Sequence, residues 1–143
     1  MYRFRTGQLE VLLAHPGGPF FTNKDLGAWT IPKGLVDEDE DQLVTAQREF
    51  EEETGTRPEG DFVPLGEVLQ KGGKTVVAWA FEGDLDPAAI RSNTFQREWP
   101  PRSGRWRDFP EVDRAAFFSI DEARGKINPA QAEFLSRLER LLP

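Results

Sequence analysis

Apolar and polar residues alternate from the start of the chain. Tyr2 and Phe4 are separated by Arg3 and Arg5, the period-2 pattern of a half-buried strand. Thr6-Gly7-Gln8 interrupts it and Leu9 to His15 resumes as a second strand, so the two predict a hairpin. A strand that begins this close to the first residue leads us to expect a few natural residues ahead of it. Between His15 and Asp25, Pro16, Gly17, Gly18 and Pro19 predict a loop, with Phe20 and Phe21 placed to fold back over a pocket. Leu43, Ala46 and Phe50 then recur at helical spacing, with Asp41 as N-cap and Gly55 as the C-terminal stop. Phe62 to Gln70 and Lys74 to Glu82 read as strands around Lys71-Gly72-Gly73. On the second, Val76, Ala78 and Ala80 face one side and Val77, Trp79 and Phe81 the other, which predicts a central strand covered on both faces. Ser92 to Trp99 is a further strand, Pro100 to Pro110 a loop rich in proline and arginine, and Val112 to Phe118 the last strand. Ser119-Ile120-Asp121-Glu122 is a capping box that opens a short helix ending near Gly125. Asn128-Pro129-Ala130-Gln131 starts another, with an apolar face of Phe134, Leu135, Leu138, Leu141 and Leu142. Pattern alone predicts α/β or α+β.

Composition narrows the function. A chain of 143 residues reads as one domain, 1–143, large enough to bury a real core. A net charge of −7 argues against a broad nucleic-acid surface, so nucleic acid is an unlikely partner. With no cysteine there is no disulfide framework, thiolate metal site or cysteine nucleophile. This fits a reducing compartment, and we expect a cytoplasmic protein. No apolar run approaches the ~20 residues that cross a bilayer, and no signal peptide precedes the domain, so no membrane partner is expected. His15, the single histidine, lies at a strand end and reads as structural.

The chemistry concentrates between Gly34 and Thr56, GLVDEDEDQLVTAQREFEEETGT. Glu52 and Glu53 follow Glu49 by three and four residues, so the three carboxylates share one helix face. Like charges so placed repel unless a cation sits among them. Oxygen-only ligands select a hard ion, Mg²⁺ or Mn²⁺.

Glu40 follows Gly34 after five residues, Arg48 follows Glu40 after seven, and Arg48-Glu49-Phe50-Glu51-Glu52-Glu53-Thr54-Gly55 completes the run. This spacing resembles the signature of the Nudix hydrolases at every polar position and both glycines; Thr56 departs from its final apolar slot. The resemblance implies a Nudix-type α/β/α sandwich around a mixed β-sheet, with the acidic helix on one face and the C-terminal helix on the other. It implies a metal-dependent hydrolase that cleaves a phosphoanhydride in a nucleoside diphosphate-linked compound. Glu49, Glu52 and Glu53 would hold Mg²⁺, with Mn²⁺ as a substitute, and Arg48 would brace Glu40. Glu52 is the first choice of general base and Glu98 the second. Gly34 belongs to the substrate loop, and Trp29 stands where a pocket-lining Trp often precedes the signature, with core packing as its other reading. Lys33 occupies a slot that is often glycine and suits extra phosphate charge, which points to a nucleoside or dinucleoside polyphosphate. Arg91, Arg97, Arg102, Arg105 and Arg107, interleaved with Trp99 and Trp106, form a local basic patch; Arg97 and Arg105 are expected to clamp phosphate. A catalytically silent Nudix-fold nucleotide-binding module is the alternative, yet no carboxylate of the signature is missing. Isopentenyl diphosphate isomerase shares the scaffold but relies on a cysteine. The Pro or Tyr that ADP-ribose and dinucleoside polyphosphate members often carry about sixteen residues past the signature is absent, since Lys71-Gly72-Gly73-Lys74 stands there. Oligomeric state is not legible.

Overall fold

The structure is a computed structural model that describes residues 1–33 and 41–142. Gly34 and Glu40 therefore lie outside the described residues. Ten elements follow in order: β1 (Tyr2–Arg5), β2 (Gln8–Pro16), α1 (Gln42–Thr54), β3 (Val63–Leu69), β4 (Thr75–Ala80), β5 (Thr94–Glu98), β6 (Trp106–Pro110), β7 (Val112–Ser119), α2 (Ile120–Lys126) and α3 (Ala132–Leu141). Short 3-10 turns occupy Pro87–Ala89 and Pro129–Gln131.

β2 is the central strand. It pairs antiparallel with β1 on one side and β7 on the other. β1 is also bridged in parallel to the segment after β4, where the Tyr2 N–H donates to the Phe81 carbonyl at 3.0 Å, so the pairing is mixed. Successive β2 side chains point to opposite faces. Val11 and Leu13 pack with Ile120, Ala123, Leu135 and Leu138 of α2 and α3. Leu12 packs with Phe50 of α1, Phe81 and Ala115. The result is a mixed α/β architecture with helices on both faces of the sheet. Burying a side chain such as Phe50 contributes about 2–3 kcal/mol, which fixes α1 and with it the acidic face next to its apolar stripe.

Three expectations are corrected. The two-sided strand is β2: on β4, Val76, Ala78 and Ala80 are buried while Val77 and Trp79 are only half-buried. Pro100 to Pro110 is not all loop, because Trp106–Pro110 forms β6 against β5. The pairing brings Phe95 and Phe109 to 6.0 Å between ring centroids, an apolar contact that neither strand has alone. The helix start at Asn128 has its Asn cap, but Gln131 at the third position turns away from it: its side chain accepts from the Ile31 N–H at 3.0 Å and donates to Gln70 at 2.8 Å. Among the described residues, no helix is long and apolar enough to cross a membrane.

Candidate metal and phosphate site

α1 presents the site, and its ends are fixed by local chemistry. The Asp41 side chain accepts from the Leu43 and Val44 N–H groups at 3.0 and 3.2 Å, satisfying two donors of the first turn. Gly55 ends the helix at φ 79°, a left-handed conformation that favours glycine, and its N–H donates to the Glu51 carbonyl.

Glu53 is the unusual group. It is 8% exposed, and its Oε2 is buried with no hydrogen-bond partner. Burial pushes its carboxyl up to about 8; the Lys33 backbone N–H and the Lys33 charge oppose this, while Glu49 and Glu111 add to it. Glu49 is raised as well, first by burial and then by Glu52, against the pull of Arg48. Arg48 Nη1 lies 3.3 Å from Glu49 Oε1 and 3.1 Å from Glu52 Oε1. Among the described residues no three acidic side chains converge on one point; Glu49 and Glu52 instead share the Arg48 guanidinium. An orphaned carboxylate oxygen beside two further carboxylates, with oxygen donors alone, fits a hard divalent cation. Glu49, Glu52 and Glu53 would hold it once the first two turn from Arg48.

The charges acting on Glu49 and Glu53 also identify a residue that the sequence reading missed. Glu111 raises both. It sits between β6 and β7, far along the chain from α1. Its N–H donates to the Asn93 carbonyl at 2.9 Å, and the Asn93 N–H donates to the Glu52 carbonyl at 2.8 Å in the last turn of α1. The Gly17 N–H holds the Glu111 carbonyl at 2.9 Å. Gly17 is needed there, since a Cβ would meet the Pro110 carbonyl oxygen at 1.9 Å. The only signal in the sequence was an acid just before the last strand, with nothing local to mark it.

The other expected site residues fall in several places. Glu98 accepts from the Arg102 N–H at 2.6 Å within the β5–β6 hairpin and is not among the charges acting on Glu49 or Glu53. Glu111, tied through Asn93 to the last turn of α1, is a further distant carboxylate beside that helix. Trp29 is 4% exposed, donates from Nε1 to Asp25 at 2.8 Å and packs edge-on against His15 and Phe118. Core packing, not a pocket wall, describes it here. His15 is fully buried, with Nδ1 2.8 Å from Asp113 and Nε2 2.7 Å from the Lys24 carbonyl; it ties the loop after β2 to β7. Lys33 stands beside Glu53. The Arg97 guanidinium lies 4.9 Å from the Phe20 ring centre, and Arg105 is exposed.

A family model described as "NUDIX domain" matches residues 2–138. The chain is 65% identical over 34 residues to CMP-5'-(N-acetyl-N-hydroxy-3-aminopropyl)phosphonate hydrolase of Streptomyces rubellomurinus, covering 24% of this chain and 16% of that one. It is 45% identical over 96 residues to the asymmetrical bis(5'-nucleosyl)-tetraphosphatase of Rattus norvegicus, covering 63% of this chain and 62% of that one. The chain thus spans less than two thirds of either curated relative. A C. elegans Ap4A hydrolase binary complex superposes with a TM-score of 0.66 at 22% identity, covering 99% of this chain and 91% of that chain. The NUDIX domain of Shewanella oneidensis NrtR, complexed with ADP ribose, gives a TM-score of 0.66 at 18% identity, covering 99% and 83%. At these identities the structures establish the fold alone.

Proposed function

The chain belongs to the NUDIX domain family, and on that premise we propose that it is a pyrophosphohydrolase of nucleoside or dinucleoside polyphosphates. The observation that carries this reading is the buried, unpartnered Glu53 oxygen within the acidic face of α1. The similarity to the rat tetraphosphatase supports a polyphosphate substrate. A divalent cation, Mg²⁺ or Mn²⁺, when bound by Glu49, Glu52 and Glu53, neutralises diphosphate charge and makes water more acidic. Water attacks phosphorus in line, the bridging oxygen leaves with the departing phosphate, and a carboxylate takes the proton from the water. Glu52 is the first choice for that base, being the most open of the three and held only by Arg48 and the end of α1. Glu111, linked through Asn93 to the end of α1, and Glu98 in the β5–β6 hairpin are the other candidates. Lys33 adds positive charge beside Glu53, where additional phosphates need it.

Phosphate release from a panel of diphosphates, triphosphates and dinucleoside polyphosphates, with Mg²⁺ and with Mn²⁺, tests the reading. Turnover is expected to favour the longer phosphate chains. A wild-type preference for ADP-ribose would refute the polyphosphate assignment.

Arg48 joins the acidic residues of α1 and, through the proposed brace to Glu40, the loop before them. Lysine keeps the charge but not the planar guanidinium that can hold several oxygens in fixed geometry. Arg48→Lys is therefore expected to lower kcat clearly at unchanged net charge. A variant equal to wild type in both melting temperature and rate would remove Arg48 from the site.

A further inference from the structure

The β5–β6 hairpin has two chemically different faces. Its ladder runs without a register shift from Thr94↔Pro110 to Glu98↔Trp106. It continues at both ends, where the Trp99 N–H donates to the Arg105 carbonyl at 2.8 Å and the Glu111 N–H to the Asn93 carbonyl at 2.9 Å. Side chains alternate between faces. One face therefore carries Phe95 opposite Phe109, Arg97 opposite Arg107, and Trp99 opposite Arg105, with Glu111 at the stem. The hairpin's acids, Glu98 and Asp108, belong to the other face. Ring contacts agree with this division: Arg97 lies 4.9 Å from Phe20 and 5.6 Å from Phe95, and Phe20 lies 5.6 Å from Trp99.

Two arginines directly opposite one another repel. Arg97 and Arg107 are so placed, and among the described residues neither they nor Arg105 form an ion pair. The described residues hold many carboxylates, yet no ion pair joins one of them to these guanidinia. An external anion is what would relieve them. The stem of the same face is tied to the acidic helix, because the Glu111 N–H donates to the Asn93 carbonyl at 2.9 Å and the Asn93 N–H to the Glu52 carbonyl at 2.8 Å. At about 3.4 Å per residue, Arg107 stands roughly 14 Å and Arg105 roughly 20 Å along the strand from Glu111. Phe20 is 50% exposed, with Arg97 over its ring. The order outward from the carboxylates is thus an apolar pair, two opposed cations, then cation and aromatic together.

We propose that this face is a distal nucleotide subsite. Arg107 and Arg105 hold phosphate from the far half of a dinucleoside polyphosphate, and Phe20 with Trp99 receives its second base. The inference rests on the polyphosphate reading above and names the substrate feature that the hairpin recognises: a second nucleoside beyond the cleaved bond. A single-stranded nucleic acid uses similar parts, but a chain this acidic disfavours a long polyanion, whereas a dinucleotide meets only this one basic face.

The test compares a dinucleoside tetraphosphate with the nucleoside diphosphate of the same base, which lacks both the far phosphates and the second nucleoside. Arg107→Ala is expected to raise KM for the dinucleoside compound about tenfold and leave that for the mononucleoside compound within about twofold, the size of one lost charge-assisted contact. Phe20→Ala should follow the same split. Asp108→Asn, on the opposite face, should change neither. Calorimetric titration of the dinucleoside compound into Glu52→Gln protein, with and without Arg107→Ala, reads the subsite without turnover and should show about a tenfold weaker Kd. Equal effects on the two compounds, or an unchanged Kd, would overturn the proposal. So would tighter wild-type binding of a 5′-phosphorylated single-stranded oligonucleotide than of the dinucleoside compound. If no phosphoanhydride is hydrolysed at all, the functional reading falls, and the calorimetric arm still decides whether the subsite exists.

Discussion

Glu52→Gln is expected to lower kcat by about 10²-fold or more while leaving the fold intact. The amide keeps the shape of the side chain and removes both the negative charge and the basicity. Little of the fold depends on that charge. Among the described residues the Glu52 side chain pairs with Arg48, 3.1 Å away, and both groups are more than a third exposed. An exposed i,i+4 pair contributes about 0.3–0.5 kcal/mol. Removing one of several clustered carboxylates also relieves repulsion on α1, since the Glu52 charge helps to raise Glu49. Stability and activity should therefore separate: an unchanged melting temperature with a collapsed kcat at saturating Mg²⁺. Near-wild-type turnover would remove Glu52 from the reaction. The proton would then fall to Glu111, and Glu111→Gln is the variant that decides between them. A loss in Glu111→Gln that matches wild-type folding, with Glu52→Gln still active, would assign the base to the loop before β7.

Local features of this fold were legible because local chemistry determines them. Tyr2, Phe4 and the run Leu9 to His15 alternate, and they pair as β1 and β2. Asp41 and Gly55 bound α1 because a carboxylate satisfies the first turn and a left-handed residue closes the last. Glu49, Glu52 and Glu53 share a face of α1 because helix geometry brings residues three and four apart together. What escaped the sequence depends on partners far away in the chain. β6 looked like a loop because proline and arginine dominate its segment; it is a strand only by virtue of β5. Burial on both faces was expected of β4 and belongs to β2, since strand position in a sheet is a tertiary property. Trp29 lies near the acidic segment in sequence, but Asp25, His15 and Phe118 hold it in the core. Glu111 and Glu98 are the clearest contrast. Both are acids at the edges of the Arg-rich segment, and only the backbone links from Glu111 through Asn93 to α1 distinguish them.

In metal-free protein, Glu53 is expected to withdraw stability as pH rises from about 4.5 to about 8, and a divalent cation should restore most of it at the alkaline end. The cause is Glu53, whose carboxyl burial pushes up to about 8 from an ordinary value of 4.5. A raised acid binds its proton more tightly in the folded chain than in the unfolded one. Between the two values the native state holds more protons, so the slope of unfolding free energy against pH is negative. The favourable contribution is complete below about 4.5 and is lost as pH passes through 8. At about 1.4 kcal/mol per pH unit, the full window corresponds to roughly 3–5 kcal/mol. Glu49 is raised too, so it acts in the same direction. Asp25 and Asp84 are lowered by Lys126 and Arg3 respectively, and their effects fall at more acid pH, outside this window. The buried Met1 amine, lowered from 8.0 to about 5, acts in the opposite direction over the same range. Thermal melts in EDTA at pH 5, 6, 7 and 8 therefore read Glu53 as a difference: Glu53→Gln removes its titration, so the midpoint of the variant should gain on that of wild type as pH rises and exceed it at pH 8. A cation binds the ionised carboxylate and competes with the proton, so the Mg²⁺-induced rise in midpoint should be small at pH 5 and large at pH 8. Wild type and Glu53→Gln with the same pH slope in EDTA would mean that Glu53 ionises freely in the folded chain. A Mg²⁺ effect independent of pH would place the cation away from this carboxylate.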